Sequence, residues 1–374
     1  MYLALREMRF SKGRYILIGV IMLLVGFLVM FVTGLAQGLA YDNAASVQNM
    51  SATHFILEQG AEHRLTRSEL SPQKLDEVRE TAGAGQAEPL GVKMTTVVQD
   101  GEPGKVDVTL LAVDTHGWLM PRLTEGSGLP GTGQVVVDES LMEQGVKLGS
   151  RLVDQASGSE WIVAGFVQNE SFSHTPVILM NMSTWALLES QSRSQAAGSP
   201  SVTDGSAFNA IAIKAVDSEA ESIQAQVPGT EVLTKSQAVS AIPGYKEEQG
   251  SLLMMIVFLF VISAFVLAVF FYVMTIQKTS QYGVLKAMGA RTAYLAGSAA
   301  AQVLILSAVS LVVSIVLVKG FEAMLPASMP FRLHLPVLLL TCLAFILMSL
   351  AGSLFSVWKI ARINALEAIG RAAA

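Results

Sequence analysis

Hydrophobic residues are concentrated in four long runs along the chain. Each run is about long enough to cross the ~30 Å hydrocarbon core of a bilayer as a helix that rises ~1.5 Å per residue. They predict four transmembrane helices, named TM1 to TM4, at 15–39, 251–276, 295–319 and 335–358. A long segment of mixed character, 40–250, separates TM1 from TM2, whereas only short segments separate the other runs.

The mixed segment carries the alternating pattern of strands and the longer period of helices. Strands are predicted at 52–58, 106–113, 134–137, 161–167, 177–180, 210–216 and 231–233, and helices at 71–80, 139–144, 184–190 and 218–226. The last two strands and their helix are expected to form a βαβ-like unit. An inserted lobe is expected at about 124–206, ending in an exposed loop at 191–206. The predicted fold class is therefore that of a membrane protein, with four transmembrane α-helices and a large α+β domain inserted between TM1 and TM2.

The polar segment between TM2 and TM3, 277–294, has a helical pattern of its own. Its apolar residues are spaced as one stripe, and three basic residues accompany them: Tyr282, Val284, Leu285 and Met288, with Lys278, Lys286 and Arg291. Gly289 stands where a helix could end. An amphipathic loop helix of this kind can dock into a groove of another protein, although its basic residues alone could also serve as lipid-headgroup anchors.

The first residues, 1–14, are predicted as an amphipathic helix that lies along a membrane face. A signal peptide is the competing interpretation, because a basic start precedes an apolar run. The run from Tyr15 to Leu35 is too long for a signal sequence, and no small-residue cleavage site follows it cleanly. TM1 is therefore expected to be an uncleaved membrane helix.

The distribution of charge predicts the topology. The segments 1–14, 277–294 and 359–374 must share one side of the membrane, and they contain ten basic residues against two acidic ones. The positive-inside rule makes that side cytoplasmic, with both termini, in a multi-pass plasma-membrane protein. The α+β domain and the loop 320–334 are then extracellular. The domain holds 13 Lys and Arg against 27 Asp and Glu, which argues against nucleic acid as a partner.

The 374 residues, 52% of them hydrophobic, show little conventional chemistry. Nothing matches the Walker A motif, the GxSxG motif or HExxH. The five histidines are scattered, and the single cysteine, Cys342, excludes an intrachain disulfide and a cysteine metal site. No acidic or basic residue lies deep within a predicted span, which argues against a secondary transporter. We expect no enzyme activity, metal or intrinsic cofactor in this chain.

Several sequence segments resemble one family. The architecture, with the YGVLKAMGAR sequence at Tyr282–Arg291 and the segment Val135–Leu152 followed by WIVAGFV, resembles the MacB/FtsX-type permeases of ABC transporters over nearly the whole chain. LALREMRFSKGRYILIG near the start and HFILEQGAEHRLTRSEL, from His54, resemble the subgroup of DevC-type permeases and Gram-positive haem exporters. MacB has its ATPase on the same chain, whereas this sequence has none, so the resemblance implies a separate ATPase subunit.

The resemblance also implies a mechanism of mechanotransmission. Two copies of the chain would form a homodimer and bind two ATPase subunits, which hydrolyse ATP, on the cytoplasmic side. Closure of these subunits would push on a coupling helix at 277–294, whose contacts would be Lys278, Tyr282, Leu285, Lys286, Met288, Gly289 and Arg291. TM2 would relay the motion to the extracellular domain, and substrate would be taken from the outer leaflet. Haem is the expected transported ligand.

Candidate haem contacts follow from the chemistry of haem iron, whose ligands in proteins include methionine. Met30 lies on a face of TM1 that Gly26 and Gly34 leave clear, since these residues are spaced by four. Met30 could equally fill a gap at a helix interface, and the glycine face could pack against a dimer partner. Glu231 is the candidate carboxylate ligand, with Glu247 and Glu248 as options, although each could be a solvated surface charge. Met254 and Met255 could line the same opening or face lipid.

Two other functions remain open on the sequence. An FtsX-like regulator would couple a cytoplasmic ATPase to an extracellular partner without transport. A receptor or scaffold with no ATPase would make the YGVLKAMGAR resemblance a coincidence. An extracellular domain of about 210 residues favours the exporter, because the FtsX-like regulators that the resemblance also includes tend to carry smaller extracellular domains.

Overall fold

The computed structural model describes residues 12–100, 104–126, 131–197, 207–325 and 329–361. Three predicted stretches lie outside the described residues: the amphipathic helix up to residue 11, the loop 198–206 and the tail beyond residue 361. The chain divides into a helical unit, residues 1–38 with 250–374, and an α+β unit, residues 39–249.

The secondary structure is numbered in chain order. The helices are α1 Lys12–Asn49, α2 Pro72–Ala82, α3 Met182–Ala197, α4 Asp217–Gln226, α5 Lys235–Ser240, α6 Tyr245–Gln277, α7 Thr279–Ala287, α8 Thr292–Glu322 and α9 Leu335–Ala361. The strands are β1 His54–Glu58, β2 Ala87–Gln99, β3 Lys105–Val113, β4 Glu125–Gly126, β5 Gln134–Asp138, β6 Arg151–Asp154, β7 Glu160–Val167, β8 Ser171–Phe172, β9 Thr175–Asn181, β10 Ala210–Ile213 and β11 Thr230–Thr234. Short 3₁₀ helices lie at Leu65–Arg67 and Glu139–Gln144.

Four helices, α1, α6, α8 and α9, are long and apolar enough to cross a membrane, as the four hydrophobic runs predict. α1 continues well beyond the predicted end of TM1, to Asn49, because neither glycine nor proline interrupts 39–49. Its backbone leaves the helical region once, at Ala44, where φ is −137°.

The core of the helical unit depends on small residues that let helices approach closely. Ser310 Oγ and Ser314 Oγ of α8 donate hydrogen bonds of 3.1 and 2.9 Å to the carbonyl oxygens of Gly19 and Leu23 in α1. At Gly38 a side chain would collide with the backbone carbonyl of Pro330. Such contacts between small residues are a main source of packing energy where lipid removes the hydrophobic driving force.

The α+β unit contains one mixed sheet, and the described strands follow the order β11-β1-β10-β2-β3-β9-β5-β7-β4, with β6 and β8 paired outside this path. Alternate residues of the strands face two sides. On β1, Phe55 and Leu57 enter one core cluster, and Ile56 enters another. The predicted α+β domain between the first and second membrane helices is thus confirmed.

The longest strand, β2, was not predicted, because Pro89 and Gly91 interrupt its alternation. Its first residues pair with β10 and the rest with β3, so it joins both parts of the sheet. Gly91 is required, since a Cβ there would lie 2.7 Å from the ring of Trp185. The strand therefore depends on tertiary packing that local propensity does not reveal.

Two further predictions need correction. The prediction of an exposed loop at 191–206 is wrong for residues 191–197. α3 continues to Ala197 and ends just before Gly198, the first glycine of the segment. The βαβ-like unit is split: β10 and β11 are parallel, but β1 lies between them and pairs antiparallel with both.

Candidate functional site

The segment between α6 and α8 is a short helix with a defined end. α7 follows α6 after a break at Lys278. The helix end expected at Gly289 is observed: φ is +91°, and the N–H groups of Gly289 and Ala290 donate 3.0 Å hydrogen bonds to the carbonyls of Lys286 and Leu285. This pattern is a Schellman motif, which glycine adopts without strain.

The apolar residues of α7 do not form one stripe, so that prediction is wrong. Tyr282 is 3% exposed and packs in a cluster with Leu295 and Ala299 of α8. Val284 and Met288 are 41% and 70% exposed. A rotation of about 100° per residue places Val284 and Met288 together and Tyr282 on the opposite side. Val284 and Met288 therefore form an exposed apolar face at the end of α7.

Lys278, predicted to contact an ATPase, is buried in the helical unit at 4% exposure. Its Nζ donates a 2.5 Å hydrogen bond to Tyr15 Oη and lies 4.8 Å from the centre of the Tyr15 ring. Tyr15 Oη donates in turn to Gln302 Oε1 at 2.6 Å. The three residues connect α1, the end of α6 and α8. Lys286 is half-buried and Arg291 is exposed.

The face of α1 that carries Gly26 and Gly34 packs against other parts of the same chain. Met30 is fully buried in the core cluster of the helical unit, which includes Leu311 and Phe345. A Cβ at Gly26 would lie 3.0 Å from Ser314 Oγ, and one at Gly34 would meet the ring of Phe331. The slot beside Met30 is therefore closed in this structure.

Glu231 lies on β11 in the α+β unit, not in the helical unit that contains Met30. It is half-buried, and its Oε1 accepts a 3.2 Å hydrogen bond from the backbone N–H of His63. His63 lines a cavity of about 340 Å³ whose other walls include Glu62, Arg64, Gln237, Lys246 and Glu247. Met254 and Met255, about three turns from the start of α6, are exposed.

Sequence reasoning missed a polar network where α1 ends and α6 begins. His174, one of the five scattered histidines, lies between two carboxylates. Its Nδ1 is 3.1 Å from Asp42 Oδ2, and its Nε2 is 2.9 Å from Glu248 Oε2. Acidic residues just after TM1 and just before TM2 are the signal that could have indicated it.

Two titratable groups of this network are perturbed. Burial raises the pKa of Glu170 to about 8, although a hydrogen bond from Asn49 opposes the rise and the charge of Asp138 adds to it. Burial alone would lower the pKa of His174, but the hydrogen bonds and charges of Asp42 and Glu248 outweigh it, so the pKa is raised.

Comparison with known proteins identifies relatives along the full chain. The family model described as FtsX-like permease C-terminal matches residues 253–365. A "putative hemin transport system permease protein HrtB" of Staphylococcus haemolyticus is 30% identical over 370 residues, which are 99% of each protein. The protein of that name from Staphylococcus epidermidis is 29% identical, again over 99% of each.

Among solved structures, the periplasmic region of MacB from Actinobacillus actinomycetemcomitans is similar to 54% of this chain over 97% of its own length, with 14% identity and a TM-score of 0.35. The sequence relatives and the four membrane helices show the family. The chain therefore belongs to the MacB/FtsX-type permeases of ABC transporters, in the subgroup that contains the HrtB proteins.

Proposed function

We propose that this chain is the permease of an ATP-driven haem exporter. The observation that carries the proposal is the 30% identity, across 99% of both chains, to a protein described as a hemin transport permease. A likeness of this extent includes the α+β unit as well as the membrane helices, so it covers the parts in which substrate specificity of a permease would lie.

In the proposed topology both termini and α7 are cytoplasmic, and the α+β unit is extracellular. The excess of basic residues in the segments 1–14, 277–294 and 359–374 supports this orientation. The chain would then present α7 to a separate ATPase subunit. Val284 and Met288 would be its apolar contacts, and exposed Arg291 would flank them.

Two copies of the chain, each on one ATPase subunit, would transmit motion across the membrane. α6 supports such a relay, because it runs as one helix of 33 residues, about 50 Å long, from the α+β unit to the break before α7. α6 also leaves a large apolar surface exposed along most of its length, which is suited to lipid and to a second copy.

Within the helical unit, haem would be held from the outer leaflet by Met30, with Gly26, Gly34, Met254 and Met255 around it. Glu231 would be a separate carboxylate contact for haem in the α+β unit. Since the packing around Met30 is closed, α1 would have to move away from Ser314 and Phe345 to admit haem. Binding of haem would therefore be coupled to a rearrangement of the helical unit, as a transport cycle requires.

Haem binding is testable by titrating hemin into the purified full chain in nanodiscs and recording the Soret band. Met22 provides a matched control, because it is a fully buried methionine of α1 in the same cluster as Met30. We expect Met30→Leu to lose the Soret shift of the wild type and Met22→Leu to retain it. Equal shifts in the wild type and both variants would contradict the Met30 assignment.

An FtsX-like regulator is the alternative function, and the match of residues 253–365 to the FtsX-like model favours it. Such a protein would transmit ATPase motion to an extracellular partner and move no substrate. The two functions differ in the response of the ATPase: hemin stimulates ATP hydrolysis by an exporter complex and has no effect on a regulator complex.

A further inference from the structure

Residues 169–175, which include β8 and the first residue of β9, contain backbone in an unfavourable conformation. Asn169, Ser173 and His174 have φ values of +59°, +51° and +61°, in the left-handed region that residues other than glycine seldom adopt. Such conformations persist only where the surroundings enforce them, and they are concentrated at functional positions. We call residues 169–175 the clasp segment.

The clasp segment binds the end of α1 on both sides of its break at Ala44. Before the break, the N–H of Ser173 donates a 2.8 Å hydrogen bond to the carbonyl of Asn43. After the break, Asn49 Nδ2 donates to the carbonyl of Asn169 at 2.9 Å and to Glu170 Oε1 at 3.1 Å. The helix end is therefore fixed to the clasp segment at both positions.

The clasp segment also binds the first turn of α6. His174 lies between Asp42 of α1 and Glu248 of α6, and Glu248 Oε2 accepts a further 2.6 Å hydrogen bond from Asn43 Nδ2. One carboxylate thus receives contacts from two other elements. The end of the first membrane-length helix and the start of the second are joined within the α+β unit by His174.

The charge of the imidazole decides how strong this join is. A protonated ring donates from both nitrogens, so it can bond both carboxylates, whereas a neutral ring donates from only one. Four other titratable groups at the junction are buried Glu170, on the clasp segment itself, Tyr245, which precedes Glu248 by less than one turn of α6, Tyr41 and Lys235. Tyr41 Oη donates a hydrogen bond to Asn49 Oδ1, and Lys235 Nζ donates to the carbonyls of Gln48 and Met50. Glu170 is mostly protonated at neutral pH, since its pKa is about 8, so the two carboxylates beside His174 dominate.

The clasp segment connects the ends of α1 and α6 to the interior of the sheet. It leads directly into β9, which pairs with β3 on one side and with β5 on the other in the interior of the sheet. A displacement of α1 or α6 would reach the middle of the sheet through this one short segment.

We propose that His174 is a positioning residue: as an imidazolium it ties the ends of α1 and α6 to the sheet, so that both helices move the domain as one. This inference rests on the proposed relay function and names the junction through which the relay acts. Deprotonation of His174 weakens the join, so coupling between ATP hydrolysis and transport falls as the pH rises through the pKa of this group.

The test compares wild type, His174→Gln and His174→Arg in the full chain, reconstituted with its ATPase. Glutamine keeps a polar side chain but cannot be protonated, whereas arginine keeps the positive charge at every pH. Hydrogen exchange of 39–49 and 245–249, corrected for the intrinsic pH dependence, reports the join directly. Hemin-stimulated ATPase activity reports coupling.

We expect exchange in the wild type to accelerate severalfold between pH 6 and 8.5, because deprotonation of His174 removes a charged hydrogen bond to one of its two carboxylates. His174→Gln should exchange fast at both values and His174→Arg slowly at both. Exposed His116 is the control, and His116→Gln should follow the wild type. Identical exchange in wild type and His174→Gln would overturn the proposal. Exchange that follows protonation while hemin stimulates no variant would support the join and contradict the haem proposal.

Discussion

Lys278 Nζ donates a 2.5 Å hydrogen bond to Tyr15 Oη within the buried interior of the helical unit. The bond joins the end of α6 to the start of α1, and Gln302 extends it to α8. A cation that sequence analysis assigned to the docking of an ATPase thus holds three helices together. A buried charge is costly unless polar partners surround it, so this network is a specific constraint on how the helices pack.

Removal of the Tyr15 hydroxyl should destabilise the protein. Tyr15→Phe deprives buried Lys278 of one acceptor and Gln302 of one donor, and we expect a loss of about 1–3 kcal/mol. The measurement is the thermal unfolding midpoint in detergent. Tyr294 of α8 is 58% exposed, so Tyr294→Phe should leave the midpoint unchanged. Equal midpoints for both variants would show that the network contributes no stability.

Docking of the ATPase should depend on the exposed face of α7. A charge at Met288 would oppose burial of this face in a partner groove, so Met288→Asp should abolish co-purification of the ATPase. Met324, which follows α8, is 83% exposed and allows the same chemical change in the control Met324→Asp. Pull-down from membranes measures both. Retention of the ATPase by Met288→Asp, or its loss in Met324→Asp alone, would place the docking surface elsewhere.

Stability should depend on pH through Glu170. Because burial raises its pKa to about 8, the unfolded chain releases this proton at lower pH than the folded chain. The favourable contribution is complete below about pH 4.5 and is lost as the pH rises towards 8. Glu170→Gln keeps an acceptor for Asn49 and removes this loss, so it should stabilise the protein by as much as roughly 3 kcal/mol at pH 7.

Thermal unfolding between pH 5 and 9 measures the effect of Glu170→Gln. The gain should grow with pH and become constant above about pH 8. Exposed Glu143 is the control, and Glu143→Gln should give a constant difference across the range. A stabilisation that does not vary with pH would contradict a raised pKa at Glu170.

The close approach at Gly38 should not tolerate a side chain. Gly38→Ala forces Cβ against the carbonyl of Pro330, and overpacking of this kind costs about 1–3 kcal/mol. A Cβ at Gly320 of α8 meets nothing within 4 Å, so Gly320→Ala should be neutral or stabilise by up to about 1 kcal/mol. Unfolding midpoints distinguish the two variants. A neutral Gly38→Ala would mean that the loop before α9 does not pack on α1.

The four membrane helices and the α+β class were predictable from the sequence because they depend on run length and periodicity. β2 was not, since Pro89 and Gly91 disrupt a pattern that only the contact with Trp185 explains. The continuation of α1 from residue 39 to Asn49 was not predicted, because the apolar run ends there although the residues that follow still favour a helix. Run length therefore identified the spans, whereas the ends of α1, α3 and α7 follow helical propensity and the positions of glycines.

The candidate site was less predictable than the fold. A helical wheel for α7 follows from the sequence, but the side that faces α8 is decided by tertiary packing, so Tyr282 and Met288 were placed together although they lie apart. The spacing of Gly26, Met30 and Gly34 indicated a shared face correctly. What fills that face, Ser314 and Phe331, comes from distant parts of the chain and leaves no local signal.

The central claim is that this chain, with its ATPase, moves haem. The most direct measurement is the ATP-dependent transfer of hemin from nanodiscs that contain the complex, in which both membrane faces are accessible, to a haem-free acceptor protein in solution. The absorbance of the acceptor records the transfer. We predict a transfer rate that ATP increases severalfold in the wild type and that Met288→Asp returns to the rate without ATP. Equal rates with and without ATP in a complex that hydrolyses ATP would contradict the claim.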